Sequence, residues 1–186
     1  TFTDLVFDIH NMANANFKQL RILTTLNYFS KFGKNKKLLN VIDKYESRLK
    51  NKMLKIDTKL KRLEEIREFE SDQKDESLNI KEQIKAEIDF YGYETTIIDK
   101  SPDSVYIVTE IDRKYAPKLR LYKLKDGSVE FIKCYNKNLK ANEFGEFAII
   151  QVKKRIQRDK KRRNELGEYV PTGEKEMILD DWNILR

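Results

Sequence analysis

The sequence holds one cysteine, Cys134, and one histidine, His10, in 186 residues. A single thiol excludes an internal disulfide framework and a multi-cysteine zinc site, and this usage fits a cytoplasmic protein. Residues 1–96 contain no proline and only two glycines, Gly33 and Gly92. No apolar run approaches the ~18 residues of a membrane-spanning helix, so no membrane partner is expected. No basic-then-apolar leader opens the chain, and a secretory signal is not expected. Catalytic signatures are also missing. Gly33-Lys34 lacks the rest of a Walker loop, and there is no Gly-x-Ser-x-Gly elbow and no Asp-x-Asp pair. Glu110 with Asp112, and Asp180 with Asp181, read as solvent-facing charges at strand ends rather than as a metal site. His10 reads as a surface or half-buried histidine and Cys134 as a strand residue, not a nucleophile. The expectation is a chain with no catalytic residue, no metal and no cofactor. Its length suits one to two domains. Its opening at Thr1 rather than methionine suggests a segment of something longer.

Charge is what the chain has in quantity. Lys and Arg number 38 against 31 Asp and Glu, for a net charge of +7. The distribution is uneven. Residues 1–55 carry 11 basic and 4 acidic side chains, residues 56–96 carry 7 and 12, and residues 97–186 carry 20 and 15. Lys153 to Arg163 reads KKRIQRDKKRR, with eight basic residues in eleven. Clustered positive charge is the footprint of a polyanion partner, because neutralising phosphates releases condensed counterions. The plain alternative is a solvated loop.

The first 96 residues show helical spacing. Thr3 is placed to cap a short helix carrying Leu5, Val6 and Ile9. A second helix starts near Asn16, presents Phe17, Leu20, Leu23 and Thr24 on one face, and ends near Asn27, a residue that tolerates a left-handed turn. A third runs from about Asn35 to Tyr45. Leu49, Met53, Ile56, Leu60 and Leu63 form a narrow seam spaced 4, 3, 4, 3, extended by Ile66 and Phe69. Residues 70–77 read as a loop, and a last helix carries Ile80, Ile84, Ile88 and Tyr91 before Gly92.

After Pro102 the apolar period falls from 3.6 towards 2. Five strands are predicted: Val105–Asp112, Lys118–Leu124, Ser128–Tyr135, Glu146–Ile156 and Glu174–Trp182. Asp126-Gly127 is a hairpin signal, and residues 136–145 suit a short helix. Three strands, a helix and two strands is the order of an OB-fold, a five-stranded Greek-key barrel. The predicted fold class is therefore α+β, with a helical domain over 1–96 and an OB-fold over 97–186. In such barrels the connection between the first and second strands, the face of the second and third strands, and the connection between the fourth and fifth commonly grip single strands. The corresponding candidates are Arg113, Lys114 and Tyr115, then Arg120, Tyr122, Phe131 and Lys133, then Lys153, Lys154, Arg155, Arg158, Lys160, Lys161, Arg162 and Arg163, the last run passing from the fourth strand into the connection. Of Tyr122 and Phe131, one is expected to point into the barrel.

Asn16 to Tyr45, NFKQLRILTTLNYFSKFGKNKKLLNVIDKY, resembles the helix-hairpin-helix stretch of the bacterial DNA polymerase III alpha subunit, a C-family replicative polymerase. The hairpin here is Leu26-Asn27-Tyr28-Phe29, followed by Gly33, Lys34, Asn35 and Lys36. Asn27 stands where the family usually has glycine. Glu87-Ile88-Asp89-Phe90-Tyr91-Gly92-Tyr93 is similar to the family's acidic helix and its stop, without the usual "his-pro" that follows. An OB-fold comes next in that family. The resemblance implies a non-catalytic DNA-binding segment in DNA replication, since the family's catalytic aspartates lie upstream of this region in a parent nucleotidyltransferase. It implies contacts to duplex backbone through Lys34, Asn35, Lys36 and Lys37, and to single-stranded template through the barrel. The implied partners are single-stranded and duplex DNA and the rest of the polymerase chain. The family's region also carries a Gln-x-x-hydrophobic-aromatic peptide for the sliding clamp. None stands between Tyr45 and Ile80, where Gln73 to Ser77 is too polar. Two other functions fit less of the sequence. One is a phage or mobile-element protein-interaction module built from polymerase-like parts, with the Leu49–Phe69 seam as its partner surface. The other is a nuclease resting on Glu110 and Asp112.

Overall fold

The computed structural model describes every residue except Asn14, Lys52, Tyr115 and Arg186. Among the described residues there are six α-helices and five strands, divided between two compact units, Thr1–Phe90 and Tyr91–Arg186.

The first unit is helical: α1 (Phe2–Met12), α2 (Phe17–Thr25), α3 (Asn35–Leu49), α4 (Ile56–Asp72) and α5 (Ile80–Tyr91, reaching into the next unit by one residue). Thr1, not Thr3, caps α1, in a reciprocal box with Asp4. Thr3 is buried and donates its hydroxyl to Glu70 instead. Asn16 caps α2 with Gln19. Asn27 takes the left-handed conformation, at φ 61°, and a short 3-10 turn leads to Gly33. The core joins Phe2, Val6, Leu20, Phe29, Leu38, Val41, Ile42, Tyr45, Leu49, Leu63 and Ile66. The seam expected from Leu49 to Phe69 is not one helix. Leu49 closes α3, and Met53 lies in the turn before α4. Ile56 and Leu60 are exposed on the first turns of α4, while Leu63 and Ile66 are buried. The 4, 3, 4, 3 spacing runs through a break, since α3 ends at Leu49 and α4 begins at Ile56, with Met53 in a turn between them. The expected loop at 70–77 is shorter, since α4 continues to Asp72 and buries Glu70. The Glu70 carboxylate accepts from the backbone of Phe2 and Thr3 and from the Thr3 hydroxyl, which is why a charged residue ends up inside. His10 is buried too, packed against Phe17 and Tyr45.

The second unit carries β1 (Val105–Asp112), β2 (Lys118–Lys123), β3 (Val129–Cys134), α6 (Asn136–Ala141), β4 (Ile149–Arg163) and β5 (Tyr169–Leu185). Neighbours follow the order β1-β2-β3-β5-β4, and β4 pairs back onto β1. All pairs are antiparallel except β3 with β5. Inside lie Tyr106, Val108, Leu119, Leu121, Ile132, Cys134, Ile150, Leu179 and Trp182, with Leu139 of α6 and Phe144. Burial pushes the Cys134 thiol up to about 11, so it is no ready nucleophile. The two last strands are longer than their apolar alternation predicts. The whole basic run 153–163 lies within β4 rather than passing into a connection. Cross-strand pairs Arg158–Glu176, Lys160–Glu174 and Lys175–Asp159 hold the charged stretch in strand form.

Candidate nucleic-acid interface

Asp126 and Gly127 set the register of the β2–β3 hairpin. Gly127 has φ 74°, and the Asp126 carboxylate accepts from the Ser128 amide and hydroxyl. That turn places Lys118 opposite Lys133, Arg120 opposite Phe131 and Tyr122 opposite Val129. Directly opposed residues share a face. Leu119, Leu121 and Ile132, in alternation with them, point to the core. Tyr122 and Phe131 therefore stand on the same outer face, yet Tyr122 is 2% exposed and Phe131 74%. The reason is the chain's own segment at 94–98. The Tyr122 hydroxyl donates to the Thr96 carbonyl at 2.9 Å, and Glu94 takes the Arg120 guanidinium in a two-point ion pair. Burial is the largest single influence and raises the Glu94 carboxyl, but the hydrogen bonds and charge of Arg120, with the backbone amide of Glu94 and the Thr109 hydroxyl, together hold it below the usual range. The expectation that one of the two rings points into the barrel is not met: both stand on the outer face, and Tyr122 is hidden there by a covering strap. Arg120 and Tyr122 are thus structural, and Phe131, Lys118 and Lys133 form the open part of the face.

Around Phe131 the fold gathers Lys118 of β2, Lys133 of β3, Lys160 of β4, and Lys175 and Met177 of β5, lining a cleft of about 410 Å³. A second cleft of about 650 Å³ shares Lys133 and Glu176 with it and adds Ala116, Arg158, Asp159, Lys161 and Tyr169. Glu176 organises the floor between them. It accepts from Lys133 and from Arg158, the latter at 2.8 Å. Its burial opposes ionisation, but these two cations prevail and keep it below the ordinary carboxyl range. Arg158 also donates to the Tyr135 hydroxyl at 2.8 Å and stands 5.2 Å over that ring.

The basic run divides by partner. Lys154 pairs with Asp180, Arg155 with Glu130, Arg158 with Glu176 and Lys160 with Glu174. Arg155 is half-buried over the Tyr106 ring, so its guanidinium is already engaged within the fold. Lys153, Lys161, Arg162 and Arg163 are exposed and form no ion pair among the described residues. In the β1–β2 connection, Arg113 reaches the Phe144 carbonyl and Glu143. Lys114 is exposed, and Tyr115 lies outside the described residues. Lys118, Lys175, Met177, Glu176 and Tyr169 were missed by sequence reasoning. Lys118 could have been found by counting back from the Asp126-Gly127 turn; the others depend on where β5 lands.

In the first unit, the hairpin candidates meet acids. The Lys34 amide donates to the Asp75 carboxylate at 2.7 Å, and Lys36 pairs with Glu76 at 2.9 Å. Lys37 is half-buried, and its amide donates to the Glu76 carbonyl. Asn35 is buried. Its amide donates to Thr25 and Gln83 and its oxygen accepts from Leu78, so it ties α2, α3 and the 73–79 segment together and is not a surface contact. Among the described residues no group of three or more His, Cys, Asp or Glu could hold a metal, and no helix is long and apolar enough to cross a membrane.

The exposed ring supplies a flat apolar surface on which a base can stack, worth ~1–3 kcal/mol per base, and the lysines beside it supply phosphate attraction. Comparison of the chain with protein-family models, curated proteins and solved structures finds no match.

Proposed function

We propose that the second unit is an OB-fold that binds an unpaired nucleic-acid strand, and that the chain is a non-catalytic, DNA-binding segment of a C-family replicative polymerase alpha subunit. The observation that carries this is Phe131, an aromatic ring 74% exposed among Lys118, Lys133, Lys160 and Lys175. An exposed ring costs hydration unless something covers it, and its cationic neighbours suit a polyanion. The strand order β1-β2-β3-β5-β4, with α6 between β3 and β4, supports the barrel assignment. The helix–turn–helix of α2 and α3, with its left-handed Asn27 and its Gly33, supports the helix-hairpin-helix reading. There a duplex phosphate would have to displace Asp75 from the Lys34 amide. Contacts to phosphate and stacked bases carry little sequence information, so preference for sequence is weak.

Reversing Lys160, Lys161, Arg162 and Arg163 to Glu weakens single-strand binding and flattens its salt slope. Fluorescence titration of a labelled oligonucleotide across salt tests this, and unchanged affinity would count against the reading. A protein-interaction module is the second reading, favoured by the exposed Met53, Ile56 and Leu60. A stable dimer in sedimentation, with no oligonucleotide affinity, would support it.

A further inference from the structure

β4 and β5 outrun the strands beside them. β1 last pairs with β4 at Gln151, and β3 pairs with β5 only at Ile178 and Leu179. From Gln157 opposite Met177 to Arg163 opposite Tyr169, among the described residues, the two strands pair only with each other, and the Lys133–Glu176 and Arg158–Tyr135 bonds tie the start of this ribbon to the end of β3. A free two-stranded ribbon is marginal in water. This one is laced by the three cross-strand ion pairs named above, each worth ~0–1 kcal/mol.

The ribbon is also bent. Asp159 opposes Lys175, but Lys161 opposes Pro171. Lys160 alone therefore faces Thr172, Gly173 and Glu174. An excess of residues on one strand bends and twists the pair. Gly173 accommodates it with φ 80°, and the Thr172 hydroxyl donates to the Lys160 carbonyl at 3.0 Å. A straight ribbon would carry Tyr169 about 27 Å beyond Met177, at ~3.4 Å per residue. Instead Tyr169 lines the same cleft as Lys133, Arg158 and Ala116 of the β1–β2 connection. The ring is 70% exposed, and Lys161 stands in the cleft with it.

We propose that Tyr169 is a second stacking platform. On this reading an unpaired strand leaves Phe131 and passes between the bent ribbon and the β1–β2 connection, with Lys161 meeting its backbone. The acids of that cleft are outnumbered by cations, since Glu176 is paired with both Lys133 and Arg158, and Asp159 with Lys175, and Lys161 adds a further positive charge. The inference rests on the single-strand reading above and adds to it a direction and a length for the track.

The test uses the whole chain and fluorescein-labelled oligothymidylates of about four and about twelve nucleotides, lengths within the range one OB-fold covers. Tyr169→Ala is expected to weaken the longer oligomer about tenfold, the worth of one stacked base, and to leave the shorter unchanged. Tyr169→Phe keeps the stacking surface and restores the affinity. Phe131→Ala weakens both lengths. If Phe131→Ala weakens both while Tyr169→Ala changes neither, the ribbon is no part of the track and the inference is overturned, with the Phe131 site intact. Equal weakening of both lengths by Tyr169→Ala overturns the proposed direction. If Phe131→Ala changes neither length, the single-strand reading itself falls.

Discussion

Glu176 offers a sharp test of whether the clefts beside Phe131 meet phosphate. Its side chain is 10% exposed and sits between the Lys133 ammonium and the Arg158 guanidinium. As a carboxylate it neutralises part of the positive field a nucleic acid would feel. Glu176→Gln keeps the shape, removes one negative charge and releases two cations. Arg158 stays oriented after the change, because the Tyr135 hydroxyl and ring still hold it. Each further phosphate neutralised on a single strand steepens the plot of log affinity against log salt by about 0.7. Two released cations therefore steepen it by at most about 1.4. Between about 50 and about 200 mM salt, the variant should lose up to about sevenfold more affinity than the parent, and it should bind more tightly at the low end. Fluorescence anisotropy of a labelled oligothymidylate over that range reads both quantities, with circular dichroism as a check on folding. An unchanged slope would mean that neither Lys133 nor Arg158 reaches a phosphate. A shallower one would mean that the carboxylate is needed to position them.

Two further predictions concern the helical unit. Glu70→Ala strands the buried amides of Phe2 and Thr3 and the Thr3 hydroxyl. The loss of a buried charged acceptor should cost about 3 kcal/mol, seen as a lower urea midpoint in the helical circular dichroism signal. Trp182, the single tryptophan, lies in the other unit and gives a separate signal. A midpoint within error of the parent would refute the buried-acceptor role. The second prediction concerns Asp4, whose carboxyl is held down at about 2, first by the Thr1 hydroxyl and then, against some burial, by Arg67. A carboxyl lower in the folded state than its ordinary 3.8 stabilises the fold above that value. This contribution fades as pH falls from about 4 to about 2, and it is well short of full linkage because the side chain is 40% exposed. Asp4→Asn should flatten the fall in melting temperature over that window, and parallel curves for parent and variant would refute the assignment.

Much of the fold is legible in the residues. The helix start near Asn16, the left-handed turn at Asn27, the stop at Gly92 and the Asp126-Gly127 hairpin are local effects of side-chain oxygens and of backbone freedom within a few residues. The start of β1 follows from its run of β-branched and aromatic residues, Val105 to Val108, after Pro102. Where sequence reasoning failed, the deciding partner was distant. The break between Leu49 and Ile56 escaped because the 4, 3, 4, 3 spacing persists across it. Glu70 looked like loop because nothing near it says that the start of α1 needs an acceptor. The ends of β4 and β5 escaped because the charge-rich residues 157–163 and the mixed residues 169–176 have no apolar period, and what holds them is the opposite strand.

The candidate site divides along the same line. From sequence come the basic run, the aromatics among lysines and the strand order, since each depends on composition or short spacing. Only tertiary structure decides which groups are open to a ligand. Phe131 is open and Tyr122 closed because a segment 26 residues from Tyr122 lies over one and not the other. Lys133 and Arg158 are held by Glu176, 43 and 18 residues away, and Asp75 reaches the Lys34 amide across 41. Local chemistry selects helix, turn and strand, whereas exposure and ion pairing belong to surfaces that exist only once distant segments have met.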